Sequence, residues 1–402
     1  MYIYKREAET LLRKMSQAFK VLIVVGPRQV GKSTLLDEIK PKGMTKISLD
    51  NEVLREQAQN EPELFLKEHP APLFIDEAQY APRLMSYIKI QVDNSENRSL
   101  YWLSGSQPYK LNNMASESLA GRAGIVNLNS LTYSEISGIK KELFIPQKIQ
   151  HKPSIDVNEL YQKIFLGGMP ELYANPNMSR DMFFRSYIKT YLDKDVKQLS
   201  QVGNVVDFER FMRAVALRIG EPVNYSNIAR DVNISVPTAN AWMSILVESN
   251  IVYLMESYSS NFLNRLTHMP KIIFMDTGLA SYLASWKSAR DLQLSEKSGH
   301  YLESYIISDI IKSYNNKGED LDITFYRNKE KEEIDLLIRQ NGILYPFEIK
   351  KTANPKREML KNFKDLKNTK EKIGKGGIIC LFDDLISLDE ENYIIPISSI
   401  IL

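Results

Sequence analysis

The run Gly26-Pro27-Arg28-Gln29-Val30-Gly31-Lys32-Ser33, followed by Thr34, has the spacing G-x-x-x-x-G-K-S. That pattern suits one kind of ligand, a polyphosphate. Gly26 and Gly31 let the backbone curl until its N–H groups point inward, and a helix starting directly afterwards adds positive potential. Lys32 is placed to reach the β- and γ-phosphates of ATP, and the Ser33 hydroxyl to hold Mg²⁺. A second piece, Leu73-Phe-Ile-Asp76-Glu77, is an apolar strand that ends in two acids. Asp76 can hold the magnesium through water, and Glu77 can polarise the water that attacks the γ-phosphate. A third strand, Tyr101-Trp-Leu-Ser104, runs into Gly105-Ser106-Gln107. Ser104, Ser106 or Gln107 either hydrogen-bonds the γ-phosphate or its water, or simply makes the turn out of the strand. Arg122 is a candidate arginine finger for the charge that develops on the γ-phosphate, or a solvated loop cation.

A second constellation lies near the C-terminal end, in EIDLLIRQNGILYPFEIK at 333–350. Asn341-Gly342 is a strong signal for a two-residue type I′ hairpin turn. Such a turn fixes the register, so Gln340 faces Ile343 and Asp335 faces Glu348, with Lys350 on the same side. Facing like charges destabilise a sheet, so a divalent metal or a nearby cation must compensate. Pro346 is a possible bulge that would shift the register by one. The pattern D-x₁₂-E-x-K resembles the PD-(D/E)xK nucleases, although Ile334 stands where the name has proline. The resemblance implies that Asp335 and Glu348 hold a second Mg²⁺ or Mn²⁺ and that Lys350 orients the attacking water. It also makes Glu303, in HYLESYIISDII, the further acid of the preceding helix. A solvated charged hairpin is the other reading. Just downstream, residues 350–375 carry ten Lys or Arg against three acids. This run is either a solvated helix or a patch for the phosphate backbone of DNA, and its place beside the hairpin favours the patch.

Between the two constellations, residues 225–246 have a helix–turn–helix layout: Ser226 as first cap, Asn233–Ser235 as turn, and Pro237 near the start of the second helix. Trp242, Ile245 and Leu246 would face the core, leaving Thr238, Asn240, Ala241 and Ser244 outward. That second helix has no lysine or arginine, so a structural or protein-contact role stands beside a DNA-reading one.

The elements that must position these residues alternate in the first third: an opening helix over 3–19, the apolar run VLIVV at 21–25, and strands at 45–49, 72–75 and 99–103. Alternation predicts an α/β domain with a mainly parallel sheet. With 402 residues the chain is long enough for two or three domains, and its net charge of +2 confines any nucleic-acid affinity to local patches. A single cysteine, Cys380, excludes a disulfide framework and suits a reducing compartment. The charged first fifteen residues do not read as a secretory signal, and the apolar runs are too short to span a bilayer, so a cytoplasmic protein with no membrane partner is expected.

GPRQVGKST, LFIDEAQ, LSGSQ and SLAGRAG together resemble the AAA-14 type of P-loop ATPase in the AAA+ group. GGMPE at 167–171, YIKTYLDKDV at 187–196 and IIFMDTGLASYL at 272–283 resemble the DUF4143 region that follows it in that family. The resemblance implies ATP hydrolysis with Mg²⁺, Arg28 and Gln29 as loop residues near the phosphates, and Arg122 as the finger. The expected fold is α/β: a P-loop AAA+-like parallel-sheet ATPase core (1–140), a helical lid or connector (155–204), a winged-helix module (205–290) and an α+β restriction-nuclease-like domain (295–402), with Ser137–Ser154 as linker. The expected function is ATP turnover coupled to remodelling or gating of DNA binding in a homo-oligomer. The alternatives are a nucleotide-controlled protein-binding switch with an inactive nuclease-like domain, and an ATP-regulated DNA nuclease.

Overall fold

The computed structural model describes residues 4–196, 204–259 and 269–402. Residue 3 of the expected opening helix, 197–203 of the expected connector and 260–268 of the expected winged-helix module lie outside the described residues. Two compact units result. One runs through Leu131 and takes in Glu248–Asn250 and Asn315–Glu319; the other comprises Thr132–Val247, Ile251–Tyr314 and Asp320–Leu402.

The first unit is built on five parallel strands: β1 (Val21–Val25), β2 (Thr45–Ser48), β3 (Leu73–Asp76), β4 (Tyr101–Gly105) and β5 (Ala123–Asn127), in the order β2-β3-β4-β1-β5. Every residue of β1 is fully buried, as a strand covered by helices on both faces requires. This is the mainly parallel sheet expected of the first domain. Two expectations change. The opening helix is shorter, Glu9–Ala18, and β5 was not anticipated. β5 is an edge strand that buries only alternate residues, so it lacks the continuous apolar run that marks the central strands.

Residues 137–154 are not a free linker. A capping box of Thr132 and Glu135 starts a short helix that Gly138 ends at φ 67°. The chain beyond is then stitched into the second unit: Lys141 is buried in an ion pair with Asp309, and the Tyr314 hydroxyl donates to the Phe144 carbonyl at 2.8 Å.

The middle of the second unit holds the helices Val205–Ala216, Tyr225–Val232 and Val236–Glu248, then β6 (Val252–Met255) paired antiparallel with β7 (Lys271–Phe274). Asn224, not Ser226, caps the second helix, because the extended backbone at Asn224 lets its side chain accept from Asn227 N at 3.0 Å. Trp242, Ile245 and Leu246 are buried, with Trp242 against Phe208 and Phe211, while Asn240 and Ser244 are exposed.

The C-terminal part is a mixed sheet of β8 (Asp322–Arg327), β9 (Glu333–Gln340), β10 (Ile343–Lys350), β12 (Gly376–Cys380), β14 (Asn392–Pro396) and β13 (Ile386–Ser387), with β11 (Lys372–Ile373) beside β10. Asn341 and Gly342 have φ of 52° and 73°, the sign a type I′ turn needs. No described helix is long and apolar enough to cross a membrane.

The GGMPE and MDTG stretches meet in a clasp. Asp276 accepts from Leu279 N at 3.1 Å, capping the helix Thr277–Leu283, and from Gly168 N at 2.9 Å. The two backbones touch so closely that a Cβ on Gly278 would lie 2.2 Å from the Leu166 carbonyl oxygen. Gly278→Ala is therefore expected to cost on the order of 2–3 kcal/mol, read as a lowered thermal midpoint; an unchanged midpoint would show that the clasp yields freely.

Candidate functional site

In the first unit the strands deliver their C-terminal ends to one edge. β1 is flanked by β4 and β5, with Val25 level with Gly105, and β3 lies beyond β4. The phosphate loop leaves β1 at this edge. Gly26 takes φ 151° with no room for a Cβ, which would sit 2.0 Å from the Leu128 carbonyl oxygen. Gln29 and Gly31 also take positive φ, and the helix Lys32–Ile39 begins at once. Ser33 Oγ donates to Asp76 Oδ1 at 2.8 Å, and Ser104 bonds the same oxygen. Lys32 Nζ donates to the Gly26 and Pro27 carbonyls at 2.9 and 2.7 Å, folded over the loop it would serve.

Glu77 sits in the left-handed region at φ 56° and accepts from Ser106 Oγ at 2.9 Å and from Gln79. Burial works to raise its pKa, but the Gln79 and Ser106 hydrogen bonds and the charges of Lys32 and Arg28 outweigh it and hold the carboxyl below its usual range. Glu77 is thus kept ionised, able to orient and polarise a water rather than to retain its proton. Gln107 lies two residues beyond Gly105 at the same edge. Arg6, not anticipated from the sequence, is buried behind the loop and donates to Val30 O at 2.8 Å and Asn129 O at 2.7 Å.

Arg122 is not brought to this site. Its carbonyl accepts from Val21 N, at the start of β1, roughly 15 Å of strand away from the loop that follows the end of β1. Its side chain pairs on the surface with Asp93, Nη2 to Oδ2 3.1 Å. Its guanidinium therefore stands at the other end of β1 from the phosphate loop of its own chain.

In the second unit the hairpin register runs from Ile343–Gln340 to Phe347–Leu336 without a bulge at Pro346. Continued one step, it places Glu348 opposite Asp335. Lys350 Nζ lies 2.8 Å from Asp335 Oδ2 and 2.6 Å from Glu348 Oε2, so a lysine bridges the facing acids. Glu303 joins them, and two residues come in that the sequence reading missed. Glu333 shares a face with Asp335 two positions on, a signal the alternation offered. Lys271, fully buried at the start of β7, lies 2.6 Å from Glu303 and also bonds Glu333, and nothing local could have pointed to it. Carboxylate oxygens of Glu303, Glu333 and Asp335 lie within 4.8 Å of one another, a spacing that a hard cation could use.

Burial and the Asp335 charge push Glu348 up to about 9, and burial pushes Glu303 up to about 7. Burial also works to raise Asp335, but the nearby Lys350 and Lys271 hold it below its usual value.

Residues 18–137 match the AAA domain family AAA_14. Residues 18–137 are an AAA domain. Residues 157–290 and 298–400 match two domains of unknown function, DUF8612 and DUF4143. The first of these takes in both the expected connector and the expected winged-helix module. Two relatives align: Uncharacterized protein Mb2031c of Mycobacterium bovis and Uncharacterized protein Rv2008c of Mycobacterium tuberculosis, each 26% identical over 357 residues, 88% of this chain and 76% of the relative. Among solved structures, the Walker-type ATPase paby2304 of Pyrococcus abyssi covers 70% of this chain and 96% of its own, at 15% identity and a TM-score of 0.44. The AAA domain therefore holds the phosphate-loop constellation entire, and the DUF4143 match holds Glu303, Glu333, Asp335, Glu348 and Lys350; Lys271 comes from the DUF8612 match.

Glu348 sets a pH dependence. An acid whose folded pKa lies above its unfolded value binds its proton more tightly in the native state, so it lowers stability as pH climbs from about 4.5 to about 9. Glu348→Gln should match wild type near about pH 5 and exceed it by ~1 kcal/mol or more near about pH 9 in denaturant melts. Parallel curves at the two pH values would show that Glu348 carries no such proton.

Proposed function

We propose that this chain is a Mg²⁺-dependent ATP hydrolase whose nucleotide state controls the engagement of DNA, acting in the cytoplasm as a homo-oligomer. The observation that carries the hydrolase reading is the hydrogen bond from Ser33 to Asp76, with Glu77 next in sequence and fixed by Ser106. The loop from Gly26 to Thr34 would cradle the phosphates with its backbone amides, and Lys32 would exchange its loop carbonyls for phosphate oxygens. The Ser33 hydroxyl and the Asp76 carboxylate are the hard oxygen donors that Mg²⁺ prefers. When bound, the ion neutralises charge developing on the β- and γ-phosphate oxygens. Glu77 would orient the attacking water and Gln107 would contact the γ-phosphate. Arg122, too far from its own chain's loop, would serve the nucleotide of a neighbouring copy. Its pair with Asp93 lies on the surface, where water and salt screen it, so it can be given up.

Glu77→Gln should still bind ATP while turnover falls ~100-fold or more, and Lys32→Ala should lose binding. Phosphate-release and nucleotide-binding assays check both. Wild-type turnover independent of Lys32 would end the reading. Arg122→Ala should turn over normally at dilution and fall behind wild type only as concentration brings copies together; loss at all concentrations would speak against action in trans.

DNA as partner is supported by Lys361, Lys364 and Lys367, all exposed on the 3₁₀ segment Arg357–Asn368. The groove beside them, about 570 Å³, is also lined by Glu358, Asp389, Glu390 and Glu391, so its charge is mixed and the three lysines carry the proposal. The cation-free helix Val236–Glu248 leaves contact with the phosphate backbone as the main mode. Changing the three lysines to Glu should weaken gel-shift binding across duplex, forked and four-way DNA and flatten its salt dependence. Unchanged binding would turn the reading toward a protein-binding switch. A second reading, an ATP-regulated nuclease, is favoured by the Asp335, Glu348 and Lys350 arrangement. It requires Mg²⁺- or Mn²⁺-dependent cutting that Asp335→Ala abolishes.

A further inference from the structure

The acidic cluster of the second unit already holds a cation. Lys271 is fully buried, its Nζ is 2.6 Å from Glu303 Oε1 and bonded to Glu333, and it lies 4.9 Å from the centre of the Phe325 ring. Those two carboxylates, with Asp335, are the group whose oxygens approach within 4.8 Å, the only such group among the described residues. A divalent ion drawing on these acids needs its oxygen ligands at about 2.0–2.6 Å from one centre, and the Lys271 ammonium already holds two of the three, Glu303 and Glu333, while Asp335 is paired with Lys350. An ion and the ammonium cannot both take those two carboxylates.

Lys271 is also firmly placed. It opens β7, where it faces Met255 of β6. On its other edge Ile272 N donates to Glu221 O at 3.0 Å, Gly220 N to Ile272 O at 2.8 Å, and Val223 N to Pro270 O at 2.8 Å. Its backbone is therefore locked on both sides, and only the four-carbon stem can move. A separate observation points to a cation at this place. Glu348 is 2% exposed, and its Oε1 has no hydrogen-bond partner, although Oε2 is taken by Lys350. A buried polar oxygen without a partner is costly, and Glu348 stands opposite Asp335 in the hairpin register, within the same group of acids.

We propose that Lys271 is the resident cation of this pocket: its ammonium holds the Glu303 and Glu333 carboxylates that a divalent ion would need together with Asp335, keeps Mg²⁺ and Mn²⁺ out, and by its removal turns the pocket into a divalent-cation site. The proposal stands apart from ATP hydrolysis, since none of its residues belongs to the AAA domain. It bears on the nuclease reading directly, because metal-dependent cutting would require the lysine to leave. Removing one partner of a buried ion pair leaves uncompensated charge, so the variant should be weakened without metal and restored by it.

The test titrates the full chain, without nucleotide, with Mn²⁺ and counts bound ion by electron paramagnetic resonance beside a thermal melt. Wild type should show no Mn²⁺ binding that Asp335→Asn removes, and its melting temperature should not respond to the metal. Lys271→Met should bind one Mn²⁺ per chain, lose it in the double variant with Asp335→Asn, and melt below wild type until Mn²⁺ raises it. Should Lys271→Met not fold in metal-free buffer, Lys271→Gln, which keeps a donor toward the acids, carries the same comparison. Two results overturn the proposal: a wild-type Mn²⁺ site that depends on Asp335, or a folded Lys271 variant that takes up no Mn²⁺. Because ATP is absent throughout, a failed hydrolase reading leaves this outcome unaffected, and the reverse.

Discussion

The hydrogen bond from Ser33 to Asp76 spans two strands that are not neighbours, and the first unit is arranged so that it can form. β4 lies between the strand that feeds the phosphate loop and the strand that carries the acids. The bond therefore depends on all three ending at the same level, which parallel pairing and short crossovers enforce. The same levelling brings Ser104 to Asp76 and Ser106 to Glu77. Small hydroxyl residues at the end of β4 and just beyond it are thus what hold the two acids in place.

The second unit faces the opposite difficulty. It gathers Glu303, Asp335 and Glu348 out of reach of water with the half-buried Glu333 beside them, and such a group of acids cannot be buried without protons or cations to answer it. Lys350 answers one pair and Lys271 the other. A hairpin could have brought its own lysine without help, since Lys350 is two residues from Glu348. The second cation had to come from a different strand. The position of β7 is therefore tied to the electrostatics of the hairpin as well as to its own packing.

What could be read from the sequence was what local rules decide. The loop spacing, the buried strand before it and the acids at the end of β3 all lie within a few residues of the feature they define. The hairpin register followed from two letters, Asn341-Gly342, and Pro346 fitted without a bulge. Arg6, Lys271 and the Lys141–Asp309 pair were illegible because each acts across more than twenty residues, and no periodicity reports such distances. β5 was missed because an edge strand needs only half its residues to be apolar. Arg122 was found by its surroundings in the sequence, but its place at the far edge follows from β5 running parallel to β1 and could not precede knowledge of that strand. The clasp of Gly168, Gly278 and Asp276 joins two stretches about a hundred residues apart, a pairing that neither stretch announces by itself.

Arg6 carries one more implication. Its guanidinium holds the carbonyl of Val30 inside the phosphate loop to that of Asn129 just past β5, yet it lies three residues before the first helix, Glu9–Ala18. The rigidity of a nucleotide cradle more than twenty positions downstream is hostage to that one guanidinium, and anything that displaced it would slacken the cradle without touching a single residue that meets phosphate.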